Sequence, residues 1–180
     1  MIGWEHDKRW SDAYLGHCKE ILGRILICAA PIEEDQEHNT DLIVLRMDSV
    51  RVGCRIRRES YYYRYPYEFT VRTARPSGAK TELAKILEGW GQFFLYAFAK
   101  ADNNRLLAWT LVDLNAFRLW YFRQLYAGKR PGEPQTNADG SASFLGFDVR
   151  LLPNDIVRER VEAQANAQQT IPLKFAHGDV

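Results

Sequence analysis

The segment 55-RIRRESYYYRYPY-67 sets arginines beside tyrosines, a combination suited to the recognition of phosphates and bases. An arginine can bind a phosphate through two parallel N–H groups, and a tyrosine can stack on an unpaired base or bind a phosphate oxygen. The alternative is a twisted pair of strands whose tyrosines pack over the sheet while the arginines extend to water. The predicted nucleic-acid contacts are Arg55, Arg57, Arg58, Tyr62, Arg64, Arg72 and Arg75, and Lys80 extends the same basic region.

The charge of the whole chain does not explain this segment. The chain has 180 residues, 46% of them hydrophobic, which suits a single domain with a sizeable core. Its 24 lysines and arginines nearly cancel its 23 aspartates and glutamates. Since no global field draws the protein to nucleic acid or to a membrane, any basic binding site must be local.

The cysteines and the hydropathy pattern bear on the compartment. Cys18, Cys28 and Cys54 are odd in number, widely spaced and set among apolar neighbours. This pattern favours a reducing compartment and buried thiols over a disulfide or a zinc site. No apolar run approaches the ~18 to 20 residues that span a bilayer, and the first residues do not resemble a signal peptide. We therefore expect a cytoplasmic protein with no membrane partner.

The first part of the chain predicts a helix followed by strands. Apolar residues recur every three or four positions from Asp7 to about Arg24, which is typical of an amphipathic helix. Strands are predicted from residue 25 to about Pro31, over 41–47 and over 50–58, and residues 48–49 join the last two as a tight hairpin. Because side chains alternate along a strand, Val52, Cys54 and Ile56 share one face, whereas Arg51, Gly53, Arg55 and Arg57 share the other.

The second part predicts a mixed α/β order. A strand over 67–73 places Glu68, Thr70 and Arg72 on one face. Thr81 is a natural N-cap for a crossover helix over 81–90, and Asn115 for a packed helix over 115–128. Further strands are predicted over 92–101, 106–114 and 143–153. The remaining predictions are a flexible loop over 129–142 and a terminal helix over 154–169, which gives one domain across residues 1–180.

This order, together with Thr40-Asp41 ahead of the apolar run 42-LIVL-45, resembles the restriction-endonuclease-like PD-(D/E)XK superfamily, in a divergent form of phage or mobile-element type. The resemblance covers about residues 7–125. It implies an α/β fold with a restriction-endonuclease-like core, in which helices flank a mixed central sheet. It also implies a nuclease that hydrolyses DNA with Mg²⁺ or Mn²⁺, and a possible homodimer.

The resemblance also implies roles for particular residues. A divalent cation that orients an attacking water needs converging oxygen ligands, and Asp41 and Glu68 are the implied metal ligands. Arg57 or Lys80 would stabilise the scissile phosphate. The chain departs from the superfamily pattern at 54-CRIR-57, where Arg55 and Arg57 stand in place of the acid and the lysine. Arg55 cannot bind a metal, because a guanidinium stays charged and has no acceptor.

Other interpretations stay open at these positions. Asp41 can be a turn or cap residue, and Glu68 can pair with Arg55 or Arg72 across strands. The acidic run 33–37 can be a solvated bend or a displaced ligand set. The alternative function is a catalytically inactive nuclease-fold protein that binds nucleic acid or a protein partner in phage–host conflict. A third is a purely structural interaction protein.

Overall fold

The computed structural model describes residues 2–29, 42–44, 50–75, 77–101, 105–137 and 139–163. Within these ranges, every helix is too short or too polar to cross a lipid bilayer. The elements, in chain order, are α1 (Ile2–Asp12), α2 (Leu15–Leu26), β1 (Ile27–Ala29), β2 (Leu42–Val44), β3 (Val52–Arg57), α3 (Glu59–Arg64), β4 (Glu68–Ala74), α4 (Glu82–Leu87), β5 (Phe93–Ala99), β6 (Leu106–Asp113), α5 (Leu114–Tyr126), β7 (Glu133–Thr136), β8 (Ser143–Asp148) and β9 (Val157–Val161), with a 3-10 turn at Val149–Leu151.

A mixed four-stranded sheet, in the order β3-β5-β6-β9, lies at the centre of the fold. β3 runs parallel to β5, whereas β6 is antiparallel to both of its neighbours. The register of the parallel pair sets Arg55 opposite Tyr96 and Arg57 opposite Phe98. The predicted mixed α/β fold with a mixed central sheet is confirmed.

A second, antiparallel sheet in the order β4-β8-β7 carries the other half of the candidate site. Its register sets Glu68 opposite Asp148, Thr70 opposite Gly146 and Arg72 opposite Phe144. Since paired residues point to the same face, Phe144 lies beside Arg72. The predicted grouping of Glu68, Thr70 and Arg72 on one face of β4 agrees with this pairing.

Two hydrophobic clusters cover the two faces of β5, as its alternating side chains require. Phe94, Tyr96 and Phe98 pack in one cluster with residues of β4 and α5, including the fully buried Phe117. Leu95, Ala97 and Ala99 pack in the other cluster with Tyr14, Cys18 and Ile21 from the amino-terminal helices. Both faces of this apolar strand are therefore buried.

Helix capping positions the elements around the site. The Thr81 hydroxyl accepts a hydrogen bond from the Ala84 N–H, which confirms the predicted cap of α4. α5 begins one residue earlier than predicted, because the Asp113 carboxylate accepts from the N–H groups of Asn115 and Ala116. Asp113, rather than Asn115, is the N-cap.

Several predicted boundaries are wrong. The first predicted helix is two helices, because a turn at Ala13 and Tyr14 carries Tyr14 into the core. Residues 133–136 of the predicted loop form β7, with Pro134 on an edge strand that tolerates the missing N–H. The predicted hairpin of 41–47 with 50–58 does not form between the described strands, since β2 pairs with β1 and β3 pairs with β5.

The predicted terminal helix is also wrong over its described part. Residues 157–161 form β9, which pairs with the outer edge of β6. The sequence 157-VRERV-161 suits either structure by local propensity, and the open edge of β6 decides in favour of the strand. The Arg160 side chain fixes the strand further, because it donates to the Pro66 carbonyl at 2.8 Å.

Candidate nucleic-acid interface

The arginines of β3 lie at the edge of the central sheet as the structure describes it. Val52 and Ile56 pack against the cluster that contains α1 and α2 residues, so Arg55 and Arg57 point to the opposite side, towards Tyr96 and Phe98. This division of β3 follows the predicted alternation, although Cys54 is exposed rather than buried. Two guanidinium groups are thereby brought to the place where the two sheets meet.

Arg55 is held by a network of hydrogen bonds that joins β3, β4 and α4. Its Nη2 donates to Glu82 Oε1 at 2.7 Å, and its Nη1 approaches the carbonyl and hydroxyl oxygens of Thr70 at 3.4 and 3.3 Å. Glu82 Oε2 also accepts from the backbone N–H of Arg72 at 3.1 Å. Only 10% of the Arg55 side chain is exposed, so this network holds its guanidinium in place, and the predicted contact of Arg55 with nucleic acid stays a prediction.

Arg72 is a cation that the described residues do not neutralise by a side-chain ion pair. Its Nε is buried without a hydrogen-bond partner among the described residues, and the same holds for Arg75 Nε. The Arg72 and Arg55 guanidinium groups lie 5.5 and 5.3 Å from the centre of the Phe144 ring. Burial and the neighbouring charge of Arg55 lower the pKa of Arg72, so an anion beside these groups would be attracted strongly.

Arg57 lies over an exposed tyrosine. Its guanidinium carbon is 4.0 Å from the centre of the Tyr61 ring, and no ion pair holds it within the described ranges. The stacked arrangement pre-orients the flat guanidinium while its N–H groups stay available for an oxygen ligand.

The tyrosines in and next to α3 differ in their exposure, because one packs against the core and the others face solvent. The ring of Tyr62, a predicted nucleic-acid contact, packs 5.3 Å from that of Phe98, and its hydroxyl accepts from the Ala163 N–H. Its contact with nucleic acid stays a prediction. Tyr61, Tyr63 and Tyr65 have exposed fractions of 40, 70 and 47%. Tyr61 and Tyr63 lie on α3, which the strand alternative did not include, and Tyr65 is its C-cap residue, so these three exposed rings are accessible for stacking.

Two adjoining cavities share Arg57 and Tyr61 as a common wall, and we call them together the arginine groove. The first cavity, of about 590 Å³, is lined by five basic and two acidic described residues: Lys8, Arg55, Arg57, Arg58 and Arg72 against Asp7 and Glu82. The second cavity, of about 300 Å³, is lined by Arg64, Glu68 and Gln135, among others. The predicted contacts Arg57, Arg58, Arg64 and Arg72 are therefore brought to one continuous surface.

Glu68 lies in the second cavity as a partly buried carboxylate. Its Oε2 accepts a hydrogen bond from Gln135 Nε2 at 2.7 Å, across the intervening strand β8. Gly146 makes this contact possible, because a Cβ there would lie 2.6 Å from Glu68 Oε2 and 2.5 Å from Gln135 Nε2. No ion pair links Glu68 to Arg55 or Arg72 in the described structure, so that interpretation of Glu68 is wrong.

The other predicted catalytic residues do not join Glu68. Lys80 forms an ion pair with Glu88 at 2.5 Å on an exposed surface and lines neither cavity, so its role at the phosphate stays a prediction. Asp41 lies outside the described residues. Within the described ranges, no three histidine, cysteine, aspartate or glutamate side chains converge as a metal-binding group. The Mg²⁺ or Mn²⁺ site through Asp41 and Glu68 stays a prediction.

Comparison with known proteins gives no family for this geometry. No family model, curated protein or solved structure matches the chain. The argument for function therefore rests on the groove itself.

Sequence analysis missed three residues that shape the groove. Glu82 was interpreted only as part of a helix start, although it holds both Arg55 and the backbone of Arg72. Gln135 comes from β7 and Phe144 from β8, and β8 pairs with both β7 and β4 although β4 lies far away along the chain. The alternation in 143-SFLGFD-148 is a local signal for the strand of Phe144, but it does not extend to Gln135.

The titration of Glu68 gives a test of its surroundings. Burial raises the pKa of Glu68, and it outweighs the Gln135 hydrogen bond and the attraction of Arg57, which lower it. A carboxyl with a higher pKa in the folded chain binds more protons when folded, so the free energy of unfolding falls as pH rises from the unfolded to the folded pKa.

We therefore expect Glu68→Gln to have a higher urea midpoint than wild type at about pH 7. The difference between the two midpoints should become smaller towards about pH 4. Glutamine keeps the size of the side chain and an acceptor for Gln135, but it has no charge to desolvate. Urea unfolding at a series of pH values measures the effect. If the difference between the two midpoints instead grows as the pH falls, the charged carboxylate stabilises the fold.

Proposed function

We propose that this protein binds single-stranded nucleic acid, with DNA as the expected form, along the arginine groove. The observation that carries the proposal is the excess of guanidinium groups over carboxylates around Arg57, which lies in the wall of both cavities. Phosphate is the ligand that clustered, partly desolvated arginines bind best, because each guanidinium can donate two parallel hydrogen bonds.

The exposed tyrosines favour a single strand over a duplex. Tyr61 borders both cavities and Tyr65 borders the second, so a phosphate backbone lying against Arg57 and Arg64 would bring its bases near these rings. Stacking requires an unpaired base with an accessible face, and it contributes about 1 to 3 kcal/mol per base. The interleaved Arg/Tyr pattern and the groove geometry support the same ligand class.

Cleavage of the bound strand is the second candidate function. The position of Glu68 beside Arg57 in the second cavity favours it, since one carboxylate ligand and one phosphate-binding cation are close together. The restriction-endonuclease-like core remains part of this proposal, supported by the parallel pair β3-β5 with helix α4 in the connection between them. In this mechanism Asp41 would supply the second ligand, and the cation would activate a water.

Fluorescence anisotropy with a labelled oligonucleotide of about twenty nucleotides tests binding. We expect saturable binding of single-stranded DNA that weakens steeply between about 50 and 200 mM salt, and weaker binding of the matched duplex. The same sequence as RNA shows which sugar is preferred. Failure to bind any oligonucleotide at low salt would reject the proposed function.

A gel assay of the same DNA with Mg²⁺ or Mn²⁺ tests cleavage. Cutting that is lost in both Asp41→Asn and Glu68→Gln would establish the predicted metal centre, because each substitution removes one anionic ligand. Binding without cutting in either metal leaves a non-catalytic nucleic-acid-binding protein. Cutting that survives both substitutions would place the catalytic centre elsewhere.

Replacing Glu82, the carboxylate that anchors Arg55, is expected to lower stability but to strengthen DNA binding. Glu82→Gln is expected to lower the free energy of unfolding by about 1 to 3 kcal/mol, because the charged partner of the nearly buried Arg55 is lost. DNA is expected to bind about fivefold more tightly, on the order of 1 kcal/mol, because a carboxylate no longer repels phosphates in the first cavity.

Urea unfolding and anisotropy on the same preparations measure the two effects. The matched control is Glu88→Gln, which removes an exposed carboxylate from the same part of the chain without touching either cavity. Tighter DNA binding in the control as well would indicate a general charge effect rather than one that belongs to the groove.

A further inference from the structure

We propose that the second cavity binds one unpaired guanine base of the bound strand, with Glu68 as the acceptor that recognises it. This inference rests on the proposed function and names the base that the groove selects. It is carried by the size of the cavity, its aromatic lining and an acidic hydrogen-bonding group in otherwise basic surroundings.

The cavity has the size and lining of a site for one base. Its volume of about 300 Å³ lies at the lower end of the range of pockets that hold small organic ligands, roughly 300 to 1,000 Å³. Tyr96, Phe98 and Phe144 are buried side chains that supply an apolar lining, and Tyr61 and Tyr65 are exposed lining residues. A flat aromatic ligand buries its faces against such groups, whereas a charged phosphate does not.

The hydrogen-bonding groups indicate guanine. Gln135 Nε2 must be the donor to Glu68 Oε2, since an ionised carboxylate only accepts, and Glu68 Oε1 has no hydrogen-bond partner in the described structure. Guanine carries two adjacent donors, its N1–H and its N2 amino group, on its Watson–Crick edge. Neutral adenine, cytosine and thymine each have an acceptor beside their donor, which a carboxylate would repel.

The charges around the cavity complete the site. Arg57 and Arg64 line it together with Glu68, so the phosphates on either side of an inserted base would lie near cations. Arg57 also lines the first cavity, where the strand would continue.

Anisotropy competition with oligothymidylates that differ at one central position tests the inference. The central residue is guanine, hypoxanthine, adenine, cytosine or an abasic site. We expect guanine to increase affinity about tenfold over adenine or cytosine, as one bidentate contact to a base would. Hypoxanthine, which lacks the N2 amino group, should lose most of this preference.

The variants link the preference to the cavity. Glu68→Gln should abolish the guanine preference, so that oligothymidylates with a central guanine or a central adenine bind this variant with equal affinity. Gly146→Ala is a second variant, because a Cβ there would collide with both Glu68 and Gln135. Glu88→Gln is the control and should keep the preference. Circular dichroism establishes that each variant is folded.

The outcomes separate this inference from the proposed function. Equal binding of all five oligonucleotides, or a guanine preference that survives Glu68→Gln and Gly146→Ala, would overturn the base site and leave the proposed function intact. If no oligonucleotide binds, the proposed function fails, and calorimetry with guanosine 5′-monophosphate decides the base site. If guanosine 5′-monophosphate binds saturably and Glu68→Gln abolishes this binding, the second cavity is a site for a free guanine nucleotide. If the nucleotide does not bind, the guanine site is overturned.

Discussion

Replacing Arg57 with alanine is expected to weaken the binding of a single-stranded oligonucleotide about tenfold to a hundredfold at low salt, which corresponds to the ~1.5 to 3 kcal/mol of hydrogen bonds made by a charged group. Arg57 lies in the wall that the two cavities share, and Tyr61 holds its guanidinium without neutralising it. Loss of one phosphate contact should also reduce the slope of log affinity against log salt by about 0.7.

Anisotropy titrations at several salt concentrations measure both quantities. Arg123→Ala is the matched control, because it removes an exposed arginine from α5 that lines neither cavity. The net charge of the two variants is the same, so only the position of the lost cation differs. Equal losses of affinity in both variants would contradict a localised groove and would indicate non-specific attraction to the whole surface.

Arg57→Lys separates charge from shape. Lysine keeps the positive charge but loses the planar group that stacks on Tyr61 and donates two parallel hydrogen bonds. We expect an affinity between those of wild type and Arg57→Ala, with a salt slope close to that of wild type. This intermediate result would show that the stacked geometry, and not only the charge, contributes to binding.

The alternation of the strands made part of this site predictable. Residues two apart on β3 and β4 share a face, so the sequence alone grouped Arg55 with Arg57, and Glu68 with Thr70 and Arg72. The sequence also indicated a local basic surface, because the near-zero net charge left the arginines of residues 51–75 as an unbalanced cluster. Both inferences use only short-range patterns.

The parts that were not predictable depend on pairing between distant segments. β9 joins the central sheet because β6 has an open edge, and no local property of 157-VRERV-161 reveals that edge. Likewise, Gln135 reaches Glu68 only because β8 pairs with β4 on one side and with β7 on the other. The choice between Tyr61 and Tyr62 follows from the packing of α3 on Phe98. Long-range register determines which of several similar side chains is buried.

The buried partners of Arg55 explain how a basic surface coexists with a stable core. Glu82 and the oxygens of Thr70 accept hydrogen bonds from the Arg55 guanidinium, and the Thr70 hydroxyl lies 3.2 Å from the Tyr96 hydroxyl at the boundary with the aromatic cluster. These hydrogen bonds run outwards from the core, from Tyr96 through Thr70 and Arg55 to Glu82. Arg57, further along the same strand, stays available because the described structure provides it with no such carboxylate partner.

The largest expected loss of stability comes from Phe69→Ala, which should lower the free energy of unfolding by about 3 to 5 kcal/mol. Phe69 is 1% exposed and lies on the face of β4 opposite Glu68 and Thr70. Its ring centre is 5.2 Å from that of Phe147, 5.9 Å from that of Phe117 and 6.3 Å from that of Tyr96. Alanine would leave a cavity where the second sheet, α5 and the central sheet join.

Urea unfolding followed by circular dichroism measures this loss, with Tyr63→Ala as the control. Tyr63 is 70% exposed, so its removal should change stability by no more than about 0.5 kcal/mol. Because Phe69 fixes the strand that carries Thr70 and Arg72, oligonucleotide binding in Phe69→Ala should fall in proportion to the fraction unfolded. A change below about 1 kcal/mol would contradict the packing of β4 and, with it, the arrangement of the arginine groove.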